Sequence, residues 1–271
     1  MITMKKFLSV LFAFALTLAV ACGGGGESGA YEEDEEEAGT EAADNTAAAT
    51  GGQPAAAAPA DAATVTGMIK LEGAGPAMPN IPMGADPFCA ETHKTPVKAP
   101  DVVVAADGSL ANVFVYIKDF KGTAPSPSGA ALLDQVGCQY TPHVSGVQVG
   151  QTLQIKNSDP TLHNVHALGK VNKEFNIGQP VKDMVSKKTF DKPEVMLKFK
   201  CDVHGWMNSY VGVLPHPYFG VSQANGSFTI AGVPPGTYTI EAWHEKFGAQ
   251  SQQITLGAKE SKPISFTFKS S

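Results

Sequence analysis

The sequence has no arginine; all 20 of its basic residues are lysine. Sites that grip phosphate or carboxylate at two points favour the planar guanidinium fork, so such sites are not expected. Charge is scarce as well: charged residues make up 17% of the chain and the formal net charge is −6. That balance excludes nucleic-acid binding through bulk electrostatics. Past the N-terminus no apolar run is long enough to cross a bilayer. A phosphate-binding glycine loop, a C-x-x-C-H haem site and an H-x-x-E zinc motif are all missing. So is any stretch with convincing helical amphipathicity. Glycine (28) and proline (19) are plentiful instead, and turn signals are scattered along the chain, which fits an all-β protein.

The N-terminus has the form of an export signal. Lys5 and Lys6 precede an apolar run from Phe7 to Val20, broken only by Ser9 and Thr17, and Ala21-Cys22 follows. A charged head, a short apolar core and small residues at the cut describe a secretory signal over residues 1–22. Leu18-Ala19-Val20-Ala21-Cys22 resembles a bacterial lipobox, which implies lipidation of Cys22; ordinary cleavage near Ala21 is the alternative. By the same analogy Gly23 favours the outer membrane. Export implies an oxidising compartment in which cysteines can pair.

Residues 23–63 hold ten acidic side chains and no lysine, and most of the rest is Gly, Ala, Pro, Ser and Thr. Such a stretch buries too little apolar surface to offset its ordering entropy and is expected to be a disordered acidic tether. As a coil it would reach roughly 35 Å. Residues 64–271 carry 18 lysines against 16 acids, so the acidity belongs to the tether.

Short β-rich runs recur from residue 64 onward: 64–71, 101–105, 112–117, 144–149, 151–156, 195–200, 209–213, 227–230, 237–242, 252–256 and 264–268. Ten or so short strands with turns between them predict β-sandwiches with Greek-key connections. Residues 124–131 are rich in Pro, Ser and Gly and read as a loop.

Two segments carry the chemistry. One is Asn157-Ser158-Asp159-Pro160-Thr161-Leu162-His163-Asn164-Val165-His166, and the other is Cys201-Asp202-Val203-His204-Gly205-Trp206-Met207. Two imidazoles, a thiolate and a thioether form the donor set of a blue-copper electron-transfer site. Thiolate and thioether suit Cu(I), and imidazole suits both oxidation states. Zinc on His163, Cys201 and His204 is the competing assignment, but it leaves Met207 without a role.

H-N-V-H followed by C-x-x-H-x-x-M resembles the cupredoxin family, and the short loop is most similar to amicyanin. The resemblance spans roughly residues 138–215 and implies one type 1 copper. Position by position it implies His163, Cys201, His204 and Met207 as metal ligands. It implies Asn164 as the residue that braces the ligand loop, and an exposed His204 as the electron port. Trp206, beside that port, is the candidate docking surface for a partner. His166, His143 and His216 are expected to be ordinary surface or packing histidines.

Cys89 and Cys138 remain. In an oxidising compartment they suggest a disulfide; a second metal site from Cys89, His93, Cys138 and His143 is the sharper alternative. Toward the C-terminus an Asn225-Gly226 turn and a Pro234-Pro235-Gly236 turn separate strands. Residues 216–271 resemble the carboxypeptidase regulatory-like (prealbumin-type) domain, a smaller β-sandwich. Its usual opening strand is missing before Tyr218. A candidate lies at residues 66–69, with 110–117 as the next strand, which would split that sandwich around the copper module (138–215). Otherwise residues 64–137 supply the first strands of the cupredoxin.

The expected function is an exported, lipid-anchored carrier of single electrons between redox proteins, on the periplasmic face of the outer membrane or the cell surface. No substrate is transformed, so it is not expected to be an enzyme. A copper-binding or delivery lipoprotein without redox turnover, and a surface scaffold with a structural metal, are the alternatives.

Overall fold

The computed structural model describes residues 58–122, 124 and 129–270. The expected export signal, Cys22 and the tether as far as residue 57 lie outside the described residues. The last few residues of the expected tether do not behave as coil. Ala62 N–H donates to the Pro59 carbonyl, Lys259 N–H donates to the Asp61 carbonyl, and Ala63 is buried at the start of the first strand. An apolar partner surface decides this, which a composition count does not see.

The chain is all-β. In order, the strands are β1 (Ala63–Glu72), β2 (Phe114–Ile117), β3 (Ala131–Val136), β4 (Gln139–Thr141), β5 (Val144–Gln148), β6 (Leu153–Asn157), β7 (His163–Leu168) and β8 (Phe175–Gln179). They continue with β9 (Val185–Lys188), β10 (Glu194–Lys200), β11 (Asn208–Leu214), β12 (Phe219–Val221), β13 (Ser227–Val233), β14 (Gly236–His244), β15 (Gly248–Leu256) and β16 (Ser261–Lys269). Among the described residues one short helix, α1 (Pro87–Thr92), follows a single 3-10 turn at Met83–Ala85. Among the described residues no helix is long and apolar enough to cross a membrane.

Four sheets form two sandwiches. In the first, the order β5-β11-β10-β7-β8 faces the order β4-β3-β6-β9. Leu133, Val147, Leu153, Ile155, Val165, Leu197, Phe199 and Val211 fill the space between them. In the second, β13-β1-β16 faces β12-β2-β14-β15 around Val65, Ile69, Val115, Ile117, Ile230, Ile240 and Phe268. Thus β1 and β2 pair into the sheets that β12–β16 build, while β3 already belongs to the other sandwich. Residues 131–214 are therefore an insertion, and it opens at Ala131 rather than at residue 138. The run 101–105 forms no named strand; Val104 makes only an isolated bridge to Leu110.

β2 explains how the sandwiches join. All four of its residues are buried, because alternate side chains leave opposite faces of a strand. Val115 and Ile117 enter the second sandwich. Phe114 and Tyr116 point the other way, into a cluster with Val144, Met196, Leu214 and Phe219. Met196 reaches that cluster from a bulge in β10, where the register shifts between Glu194 and Leu197 and Met196 takes φ of 60°.

Residues 79–99 belong to neither sandwich. Ile81 N–H donates to the Val97 carbonyl and Ala99 N–H to the Pro79 carbonyl, closing a strap that carries α1 at its tip. Cys89 of the strap forms a disulfide with Cys138, at the β3–β4 turn.

Candidate metal centre

The β10–β11 hairpin loop presents three of the expected ligands. Lys200 pairs with Asn208, so residues 201–207 form one tight turn. Cys201 N–H donates to the Met207 carbonyl (3.0 Å), Met207 N–H to the His204 carbonyl (2.8 Å), and His204 N–H to Cys201 Sγ (3.3 Å). Exposed Asp202, Val203 and Gly205 form the crest, while Cys201, His204 and Met207 turn inward.

β7 brings the fourth. It runs antiparallel to β10 with His166 opposite Lys200, so Asn164 and His163 project level with the loop. His163 and Val165 face the core, and His166 faces outward, where Asp202 and Glu174 hold it. Nitrogen atoms of His163 and His204 and the sulfur of Cys201 all lie within 4.8 Å of one another, and all three residues are buried. Met207 is buried in the same apolar cluster as Cys201.

Asn164 braces the loop. Its Oδ1 accepts from Cys201 Sγ (3.3 Å), Asp202 N–H (2.6 Å) and Val203 N–H (3.2 Å). Its amide donates to Asn176 and Asp202. Burial pushes the Cys201 thiol up, but His163 and the surrounding hydrogen bonds outweigh it and hold the thiol below its ordinary range. Thiolate is the metal-binding form.

The two imidazoles face each other, Nδ1 to Nδ1, at 2.9 Å. Each turns its Nε2 to a carboxylate: His163 to Asp159 Oδ2 (2.9 Å) and His204 to Asp86 Oδ2 (3.3 Å). A neutral imidazole has one N–H and one lone pair. With both Nε2 hydrogens directed at carboxylates, two lone pairs would meet at Nδ1, and that contact needs a cation between them. A proton serves in the metal-free chain. Burial opposes charge on His163, but Asp159 and Cys201 outweigh it and hold the ring's pKa up to about 9. Burial, and the charge of His163 with it, pushes His204 down despite Asp86.

One expectation fails. His204 is only 2% exposed, so its ring offers no edge to a partner. The strap covers it: Asp86 Oδ2 and Cys89 Sγ (3.8 Å) both lie against His204 Nε2. The second metal site from Cys89, His93, Cys138 and His143 does not assemble. Cys89 and Cys138 are bonded to each other, His93 Nε2 contacts the Gly137 carbonyl, and His143 pairs with Glu245 between the sandwiches. His216 packs against Phe120 and Tyr218. Trp206 is half-buried, its indole N–H donating to the Cys138 carbonyl and its ring 5.0 Å from that of His204.

Asp86 and Asp159 escaped the sequence reading. Asp86-Pro87 is a legible helix start, a capping carboxylate before Pro at the first helical position. Its contact with His204, 118 residues away, has no local signal.

Residues 216–269 match the model of the carboxypeptidase regulatory-like domain, a stretch that holds β12–β16. No curated protein matches the chain significantly. Among solved structures, the copper-containing nitrite reductase of Thermus scotoductus SA-01 is 19% identical with a TM-score of 0.30. The overlap covers 35% of this chain and 24% of that one, so the chain spans about a quarter of the reductase. A Cu(I) amicyanin variant is 26% identical with a TM-score of 0.28, over 31% of this chain and 82% of that one. A purple cupredoxin from Nitrosopumilus maritimus is 21% identical with a TM-score of 0.27, over 31% of this chain and 98% of that one.

Proposed function

We propose that the chain is a type 1 copper protein that carries single electrons between redox proteins and is not an enzyme. The observation that carries this reading is the buried convergence of His163, Cys201 and His204 within 4.8 Å. Met207 supplies the soft fourth donor on the same loop. This set fits copper by its chemistry, two imidazoles with a thiolate and a weak thioether. Bound copper would supply a one-electron couple. The chain's own part is to hold the donors still: Asn164 fixes the loop, the strap excludes water from His204, and the two sandwiches give a rigid mount. With His204 covered, half-buried Trp206 is the surface through which a partner would approach.

We place the protein outside the cytoplasm, lipid-anchored through Cys22 on the periplasmic face of the outer membrane or on the cell surface. The Cys89–Cys138 disulfide supports an oxidising compartment. A Cys22→Ser variant should then be recovered in soluble form with an unchanged copper spectrum.

A second reading, copper retention or delivery without redox turnover, draws support from the 2% exposure of His204. One experiment separates the two. Titrate Cu(II) into the wild type and into Cys201→Ser and His166→Ala, then follow reduction. Intense visible charge transfer, lost in Cys201→Ser, kept in His166→Ala and bleached rapidly and reversibly, supports the carrier. A bound but slowly reduced ion supports retention. No binding overturns both.

A further inference from the structure

The strap lies outside the β-sandwich that holds the four donors, yet it delivers a carboxylate to one of them. Asp86 Oδ1 is tied down as the cap of α1, accepting from Phe88 N–H (2.8 Å) and Cys89 N–H (3.1 Å). That leaves Oδ2, which accepts from Thr161 Oγ1 (3.0 Å) and faces His204 Nε2. Asp159 is fixed in the same manner. Its two oxygens accept from Gly137 N–H and Cys138 N–H, both at 2.8 Å, and Oδ2 also faces His163 Nε2. The backbone that holds Asp159 is the turn containing Cys138, and the helix that holds Asp86 contains Cys89. One disulfide therefore fastens the supports of both carboxylates together.

We infer that Asp86 and Asp159 are paired positioning residues, which keep His204 and His163 protonated at Nε2 so that both Nδ1 atoms remain free to hold one cation. An imidazole is symmetric enough to bind metal through either nitrogen, and the hydrogen bond at the far nitrogen decides which. Here both far nitrogens meet immobilised carboxylates, so the near nitrogens converge. The negative charge also raises the donor strength of each ring. That charge favours the higher oxidation state of a bound ion. The Asp86–His204 couple further fixes the buried ring against rotation, while the disulfide keeps the strap from lifting Asp86 away.

The metal-bound arm of the test rests on the copper reading; the metal-free arm does not. In the metal-free wild type, proton–nitrogen correlation spectra of the histidine rings should show the His204 proton on Nε2. In Asp86→Ala it should move to Nδ1 or be shared, with the disulfide retained and only the modest destabilisation of a lost helix cap. A wild-type ring protonated at Nδ1 overturns the inference. With Cu(II) added, Asp86→Ala should weaken binding about 10- to 100-fold. Asp86→Asn keeps an acceptor oxygen without the charge. It should therefore restore most of the affinity while leaving the reduction potential above that of the wild type. Wild-type affinity and potential in Asp86→Ala, or an Asp86→Asn variant as weak as Asp86→Ala, also overturn it. If the wild type takes up no copper, the function proposed above fails, and the ring spectra alone decide this inference.

Discussion

Cys89 Sγ lies 3.8 Å from His204 Nε2, although 115 residues separate them in the chain. The contact joins the only disulfide among the described residues to the covered His204 edge of the candidate metal centre. Stability and access to the site are therefore set by the same covalent link.

Replacing both Cys89 and Cys138 with serine should cost roughly 3–4 kcal/mol, as expected for releasing a loop of 49 residues. Urea denaturation measures the loss. The variant should also surrender bound copper to a chelator faster than the wild type, and backbone amides of residues 79–99 should exchange faster. Unchanged exchange in that segment would show that the strap is held by its other contacts.

Met207→Leu tests the thioether. His163, Cys201 and His204 converge within 4.8 Å and are the stronger donors, while a thioether is a weak axial one, so copper should stay bound. The reduction potential should shift, because the axial donor and the polarity around the sulfur tune it. A potential equal to that of the wild type would remove Met207 from the ligand set.

Gly212 sits beneath the Phe114 ring where the sandwiches meet. A Cβ at Gly212 would lie 2.3 Å from Phe114 Cζ. Phe114 is fully buried and has no room to withdraw. Gly212→Ala should cost about 1–3 kcal/mol by overpacking. The copper spectrum should change little, since the donors lie at the far end of the hairpin.

His244 and His216 provide the pH dependence. Burial pushes each down to about 4, well below the ordinary imidazole value of 6.5. Between those values the unfolded chain takes up protons that the folded chain refuses. The stability these rings share in is therefore complete above pH 6.5 and falls as pH drops toward 4. The slope is about 1.4 kcal/mol per unit for each ring, or roughly 3–4 kcal/mol per ring across the window. His244 Nε2 is buried without a hydrogen-bond partner and its ring stacks on Phe247. Its Nδ1 accepts from Lys246 N–H (3.1 Å), a bond that phenylalanine loses at every pH, but phenylalanine takes up no proton, so His244→Phe should gain on the wild type as the pH is lowered. Urea midpoints of the two at pH 7 and pH 5 measure the difference.

The sequence makes the candidate donors legible because a tight loop writes its chemistry locally. Cys201, His204 and Met207 sit within seven residues, and Asn164 adjoins His163. Strands with strong β-branched patterns, such as 64–71 and 237–242, are legible for the same reason. β3, β8 and β9 are not: Ala131–Val136, Phe175–Gln179 and Val185–Lys188 mix exposed polar and apolar residues, and pairing with neighbours decides them. The cover over His204 is invisible for a further reason. Asp86 and Cys89 reach it only after two sandwiches and an insertion have folded, and nothing in their flanking residues encodes that distance.

β1 is the middle strand of its sheet, flanked by β13 and β16. It leaves the ribosome before every other strand described, yet Thr64 waits for Ser261 and Met68 for Ser227. Residues 131–214 have no such wait, since every strand partner in their two sheets lies inside the insertion. As the chain emerges N-terminus first, the inserted sandwich can condense on its own contacts while β1 and β2 remain unpaired apolar segments. The outer sandwich then closes around both ends of the insertion as the last strand arrives. The long-range pairing of β1 with β16 therefore makes the outer sandwich the slow, aggregation-exposed stage of folding and the one with the candidate metal centre the early stage.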